Sequence, residues 1–341
     1  MRNQIDLGKY EVRTDLMIDN KIEESNIEKR KVQNHLEVTT IEVTKELGIK
    51  LQKKEGIYVT IEFEDITNHE DKQAVEDCLV DEIKKIIKKK KIDSTDEGFI
   101  LGLGNRFSTA DSLGPITIDK VMVTRHLFEL GTNVKDGIRN VSAISPGVMA
   151  NTGIETYDII TSLIQKIKPK FVVVIDALAS SSVSRINKTI QITDTGIHPG
   201  SGIGNNRKEI SMDTLGIPVI AIGVPTVVES SIIVSDTMEY LFKHLSYIKN
   251  HYDLSKLTFG HKKGYLEKLS KETLTEIEKK EVSGILGTLD EIEKLELIHE
   301  VLNSIDYNLI VTPKEIDFLI ENLSDVIANS INKGLHLAVA D

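Results

Sequence analysis

Five short apolar runs, Phe99 to Leu103, Val141 to Ile144, Phe171 to Ile175, Thr189 to Ile192 and Val219 to Val224, constrain what this chain can fold into. Several are apolar at successive positions, so both faces of the resulting strand need cover. Helical periodicity fills the gaps at Thr117 to Leu130, Glu155 to Ile167 and Val228 to Lys249. Strand and helix alternating in this way predict an α/β fold with a mostly parallel sheet flanked by helices. Ahead of it, strands are expected at His35 to Thr44 and at Gly56 to Phe63, where Ile57, Val59, Ile61 and Phe63 alternate with period two. An amphipathic helix is expected over Asp71 to Lys89, and the charge-rich tail from Lys268 to Asp341 reads as helical. Within that tail, Val311 to Glu315 predicts an extended entry, an N-cap and a first turn carrying Pro313 and Glu315. The first 35 or so residues are polar and charge-dense, a segment added to a domain rather than part of its core.

The 341 residues suffice for one large domain, and 40% hydrophobic residues allow a sizeable core. A formal charge of -11 argues against a nucleic-acid binder, whose phosphate contacts need a basic face. The densest basic run, Lys84 to Lys91, reads as a solvated helix face. No apolar run is long enough to span a bilayer, and Met1 to Asn20 lacks the apolar core of a signal peptide. Cys78 is the single cysteine, expected as a buried thiol, and with no intramolecular disulfide possible the cytoplasm is the expected compartment.

Ligands of an open parallel sheet sit beyond the carboxyl ends of its strands. Three loops qualify. The first, Gly104 to Pro115, follows Phe99 to Leu103 and carries Asp111 just before the next helix. The second places Asp176 at the end of Phe171 to Ile175, where burial raises a carboxyl pKa. The third runs from Thr193 through Asp194, His198, Gly200, Gly202, Gly204 and Arg207 to Glu209, and serves either to bind substrate or to tie down a site. If Asp111 meets Asp176 across the sheet, the two can share a proton, one activating water while the other protonates a leaving amine. Spacing alone leaves the blander role open, in which each aspartate only caps a turn.

Other constellations are weaker. There is no Gly-x-Ser-x-Gly elbow, no His-Glu-x-x-His and no cysteine pair. His198 beside Asp194, with Asp176, is the candidate set for a metal-dependent hydrolase, although a lone loop histidine near carboxylates more often makes hydrogen bonds. Gly200 to Gly204 lacks the dinucleotide-binding spacing.

The chain closely resembles the germination proteases, the spore endopeptidases that degrade small acid-soluble spore proteins. The resemblance runs over nearly the whole length: Tyr10 to Leu16 (YEVRTDL), Leu101 to Asn105 (LGLGN), Thr109 to Pro115 (TADSLGP), Thr124 to Leu130 (TRHLFEL), Pro146 to Met149 (PGVM), Thr152 to Glu155 (TGIE) and Ile175 to Ala179 (IDALA). It continues through Asp194 to Ser211 (DTGIHPGSGIGNNRKEIS), Leu215 to Val227 (LGIPVIAIGVPTV) and Val311 to Glu315 (VTPKE).

By motif, the resemblance implies that Asp111 and Asp176 are the catalytic aspartates. It also implies a fold similar to hydrogenase maturation proteases, no bound metal or organic cofactor, a homotetramer and a location in the spore core. One departure is Ala110, where the family often has proline before the first aspartate. A zymogen that removes its own first residues is implied as well. Its junction falls at Asp15-Leu16, giving a propeptide of residues 1–15 and a single α/β peptidase domain of residues 16–341 with a helical C-terminal extension. Cleavage after an acidic residue and before an apolar one is the family's substrate pattern, and Thr14-Asp15-Leu16 matches it.

Overall fold

The computed structural model describes residues 15–20, 22–23, 26–33, 36–200, 207–251, 273–304 and 309–339. By its internal contacts the chain divides into two units, one made of residues 13–227 with 312–341 and the other containing residues 228–311.

The strands are β1 (Ile27–Gln33), β2 (Leu36–Val43), β3 (Gly56–Phe63), β4 (Gly98–Gly102), β5 (Val141–Ile144), β6 (Phe171–Ser180), β7 (Thr189–Thr193), β8 (Val219–Glu229) and β9 (Ile310–Val311). They lie in the order β1-β2-β3-β7-β8-β6-β4-β5, with β9 paired to the end of β8. The sheet is mixed rather than mostly parallel. β4 pairs parallel with β5 and β6, whereas β1, β2, β3, β7 and β8 form a run of antiparallel pairs. Connection length accounts for part of this arrangement. Only two residues of sequence separate β1 from β2, too few for a crossover, while β4, β5 and β6 are linked by long helical segments.

The helices of the larger unit are α1 (Lys45–Leu51), α2 (His69–Lys89), α3 (Leu113–Lys120), α4 (Arg125–Glu129), α5 (Met149–Thr152), α6 (Thr156–Ile167), α7 (Met212–Leu215) and a C-terminal helix, Ile316–Leu335. α2 and the C-terminal helix bury Leu79, Ile83, Ile320, Leu323 and Ile327 against Ile100, Val173, Ile175, Ile190 and Ile192. On the opposite face, Ile160 of α6 packs on Phe99, Leu101, Val172 and Val174. Two helical layers thus explain why the runs of β4 and β6 are apolar at every position. Cys78 is buried in the α2 layer, as expected, and in the Lys84 to Lys91 run the lysine side chains of Lys84, Lys85, Lys88 and Lys89 are exposed.

Three expectations change. The long helix anticipated at Thr117 to Leu130 is two short ones, because the chain extends at Val121. There the Met122 N–H donates to Asn332 Oδ1 at 2.8 Å, and the Thr124 N–H donates to the Val141 carbonyl at 2.9 Å. The C-terminal helix starts at Ile316, just past the Val311 to Glu315 entry. The N-terminal segment is not merely added on. Leu16 and Met17 are fully buried, and Met17 packs with Ile41, Val43 and Tyr58 on the sheet face away from α2.

The second unit holds β9, α8 (Ser230–His251) and helices Glu276–Ser283 and Glu291–Ser304, the last packed on α8. Thr275 and Glu278 form a reciprocal capping box that starts the first of these two later helices. No helix among the described residues is long and apolar enough to cross a membrane.

One buried cation locks the edge of the larger unit. Arg139 donates to the carbonyls of Asp93 (2.6 Å), Asp96 (2.9 Å) and Leu335 (3.2 Å) and stacks over the Phe171 ring. Arg139→Met keeps the aliphatic stem and strands three carbonyls. It should lower unfolding stability by about 2–4 kcal/mol, read as a shifted urea midpoint at unchanged slope.

Candidate functional site

β4 and β6 run side by side until Gly102 and Ile175, where the Leu103 N–H donates to the Ile175 carbonyl at 2.8 Å. The β4 chain then leaves the sheet at Gly104 while β6 runs on to Ser180. Asp176 is therefore not at a strand end, as the apolar run suggested. It is the first β6 residue past the pairing with β4. The strand continues because Ala177, Leu178 and Ala179 are again apolar and at least half-buried. By strand alternation Asp176 follows Val172 and Val174 onto the face that packs on α6.

Asp111 is brought there by a loop with little freedom. Gly104 has φ +110°, and a Cβ there would overlap the Asp111 carbonyl oxygen. Gly102 and Gly114 lie back to back, so a Cβ on either would run into the other strand or helix backbone. The first turn of α3 thus rests directly on the end of β4. Thr226 of β8 donates its hydroxyl to the Ala110 carbonyl at 2.6 Å, which holds the turn at the position where Ala110 departs from the expected proline. The Asn105 N–H donates both to the Asp111 carbonyl and to Asp111 Oδ2, each at 2.9 Å.

Neither aspartate takes the capping role. α3 is entered through Ser112 with no side-chain cap, and Asp176 stands inside a strand, accepting from the Ala177 N–H at 3.0 Å. Burial pushes the Asp111 carboxyl above the ordinary range, against the Asn105 N–H and the charge of Arg207. Burial pushes Asp176 well above it, and the negative charges of Asp111 and Asp15 add to the rise. Asp176 therefore lies in the field of Asp111 in a shielded place, and the charge of Arg207 bears on both.

The rest of the Asp194 to Glu209 loop is engaged elsewhere. Asp194 is buried, accepts from the Ile57 N–H at 2.8 Å and pairs with Lys89 and Lys90 at 3.1 Å each. Burial raises its pKa, but these partners outweigh that and hold it below the usual carboxylate value. His198 lies 3.5 Å from Glu209, which pairs with Lys54 at 2.5 Å. Asp194 and Glu209 are thus each anchored by lysine partners. Residues 201–206 of this loop lie outside the described residues. Among the described residues no three His, Cys, Asp or Glu side chains converge as a metal-ligand group, so His198, Asp194 and Asp176 are not brought together as the metal-dependent alternative requires. The Pro146 to Met149 loop does reach this end: Asn151 of α5, just beyond it, donates to Asn105 Oδ1 at 2.9 Å.

Asp15 and Leu16 lie beside β6. The Asp15 N–H donates to the Ala179 carbonyl at 3.2 Å, and the Ala179 N–H donates back to Asp15 Oδ2 at 3.0 Å. Thr226, Lys54 and Gln191 had no place in the sequence reading. Only Gln191 left a trace: β7 reads Thr-Ile-Gln-Ile-Thr, and an alternating strand ordinarily turns its polar face to water, yet Thr189, Gln191 and Thr193 are all buried.

The sequence model of the germination protease family matches residues 8–341. The chain is 44% identical to the germination protease of Bacillus pumilus, over 99% of this chain and 97% of that protein, and 43% identical to that of Bacillus subtilis with the same coverage. A solved [NiFe] hydrogenase maturation protease, HycI from Thermococcus kodakarensis, aligns with 42% of this chain and 80% of its own at 17% identity and a TM-score of 0.27. With the family match spanning nearly every residue and relatives similar end to end, this chain belongs to the germination protease family.

Proposed function

We propose that this chain, an endopeptidase of spore germination by its family, cuts peptide bonds with a water activated between Asp111 and Asp176. The observation that carries this reading is the burial of Asp176 within the field of Asp111, which favours one proton shared by two carboxyls. Asp176, the more deeply buried, retains the proton. Asp111, held by the Asn105 N–H and nearer the ordinary range, is the base. Asp111 takes a proton from water as the hydroxyl adds to the carbonyl carbon. Asp176 then protonates the amide nitrogen and the C–N bond breaks. Transfer of the proton from Asp111 back to Asp176 restores the starting state.

The substrates are small acid-soluble spore proteins, and the assembly is a homotetramer, as the resemblance implies. Residues 1–15 act as a propeptide that the chain removes from itself at Asp15-Leu16. The docking of Asp15 against Ala179, three residues along β6 from Asp176, supports this junction.

Asp111→Asn and Asp176→Asn should each lower hydrolysis of a small acid-soluble spore protein at least about a hundredfold, with circular dichroism unchanged. Near-normal turnover in either variant, followed by chromatography of the peptides, would sink the paired mechanism. Asp15→Ala removes the carboxylate seated on the Ala179 N–H. Intact-mass spectrometry should show slower loss of residues 1–15 in this variant while the thermal midpoint holds.

Stability carries a separate signature. A raised folded-state pKa means the folded protein binds the Asp176 proton more tightly than the unfolded chain does. Wild-type stability is therefore favoured at acid pH and declines as pH rises from the unfolded carboxylate range through the folded value. Asp176→Asn has no such proton to lose. Its thermal midpoint should gain on wild type at neutral pH, and that gain should shrink in acid. A constant difference across pH contradicts an Asp176 that is buried with its proton.

A further inference from the structure

The face of β7 that carries Gln191 is buried under the N-terminal segment, and the amide is used at both ends. Its Nε2 donates to the Asp15 carbonyl oxygen at 3.3 Å, and its Oε1 accepts from the Met17 N–H at 2.6 Å. These two contacts flank Leu16, one on the carbonyl of the Asp15-Leu16 bond and the other on the N–H of the next peptide bond. Other groups hold the same stretch extended. Asp15 is paired to Ala179 through both its N–H and its carboxylate, and Asn20 Nδ2 donates to the Leu16 carbonyl at 3.1 Å. Leu16 and Met17 are fully buried, and Gln191 itself is 6% exposed, so water does not compete freely for its amide.

Placement on the sheet brings this amide to the aspartates' side. Ile190 and Ile192 point into the core under α2, which turns Gln191 to the opposite face. Asp176 lies on that face too, since it alternates with Ile175, which belongs to the α2 core. Gln191 pairs with Gly223 of β8, and a Cβ on Gly223 would run into Leu178 of β6. The strand between Gln191 and β6 thus presents no side chain at that point.

We propose that Gln191 holds the carbonyl of the bond that is cut, donating from Nε2 to the oxygen that gains negative charge when water adds. The inference rests on the reading that Asp111 and Asp176 cleave Asp15-Leu16. In the resting chain the contact polarises the carbonyl. As hydroxyl adds to the carbon and the C=O electron pair moves onto oxygen, the same N–H strengthens its bond to a localised charge. When C–N breaks, the pair returns to reform C=O, and the departing Leu16 nitrogen has taken the proton from Asp176. Oε1, still bound to the Met17 N–H, keeps the amide from rotating and fixes which end faces the carbonyl. After the cut, Nε2 is released from Asp15 and is free for the carbonyl of a substrate in trans.

Gln191→Met removes the donor and the acceptor at similar length without adding charge. Intact-mass spectrometry should show loss of residues 1–15 slowed about a hundredfold, the scale on which a missing oxyanion donor acts. A tether that merely seats the segment would also slow the cut, so a second measurement separates the two roles. In the uncleavable Asp111→Asn background, hydrogen exchange at the Asp15 N–H, which the Ala179 carbonyl holds, is compared with and without Gln191→Met. The expected result is a segment that stays protected, because Leu16 and Met17 remain buried and Ala179 still binds Asp15, alongside the slow cut. Processing of Gln191→Met within about threefold of wild type overturns the role of Gln191 while leaving the aspartate pair intact. Exposure of the Asp15 N–H in the double variant, in step with the lost cleavage, reduces Gln191 to an anchor and also overturns it. If wild type keeps residues 1–15, or Asp111→Asn sheds them equally fast, the underlying reading fails and this inference falls with it.

Discussion

The separation of β4 from β6 after Gly102 and Ile175 is the event on which the rest of this site depends. Up to that point the two strands satisfy each other's backbone and are covered by helices on both faces. Beyond it, β6 carries a carboxyl into an interior that has no water to solvate its charge. A buried carboxylate is expensive, so burial favours the protonated form, and the charge of Asp111 makes ionisation harder still. A strand end open to solvent would leave Asp176 an ordinary acid. A strand still paired to β4 would leave no loop to deliver Asp111.

That delivery is a matter of steric fit. Gly102 and Gly114 let the first turn of α3 touch the end of β4, and Gly104 adopts a backbone angle that side chains avoid. Thr226 reaches from β8 to fix the turn from the other side. Three elements therefore define the position of one short loop, as a pair of interacting carboxyls requires.

The antiparallel half of the sheet has a different task. β2, β3 and β7 offer a face that no helix of the α2 layer covers, and the N-terminal segment lies on it with Leu16 and Met17 buried. The segment runs past Ala179 and Gln191, so the same docking that completes the core places Asp15-Leu16 near the aspartates. The Asp194 to Glu209 loop is drawn in through Asp194, Lys89 and Lys90 on one side and Glu209 with Lys54 on the other, while Arg207 remains to act on the pair.

Most strands were legible in the chain because burial on both faces leaves a continuous apolar run, and burial on one face leaves alternation. β3 and β5 have the bounds their patterns predict, and β2, β4 and β7 lie within a residue or so of theirs. Both aspartates stood out as candidates because each adjoins an apolar run or its loop, although Asp176 lies inside β6 rather than at its end. Strand direction was not legible, because hydrophobic pattern records burial and is silent on polarity. Nor was the break at Val121, which is set by Asn332 from a helix about 200 residues further along. Gln191 was hidden for the same reason. In sequence it is a polar residue on an alternating strand, which ordinarily faces water. Local pattern determined which segments are strands and helices and where the carboxyls stand along the chain. Which carboxyl is buried rests on how separate strands and helices pack, and the amide and strand that meet Asp15 lie more than 150 positions away from it, so only the packed tertiary structure brings those together.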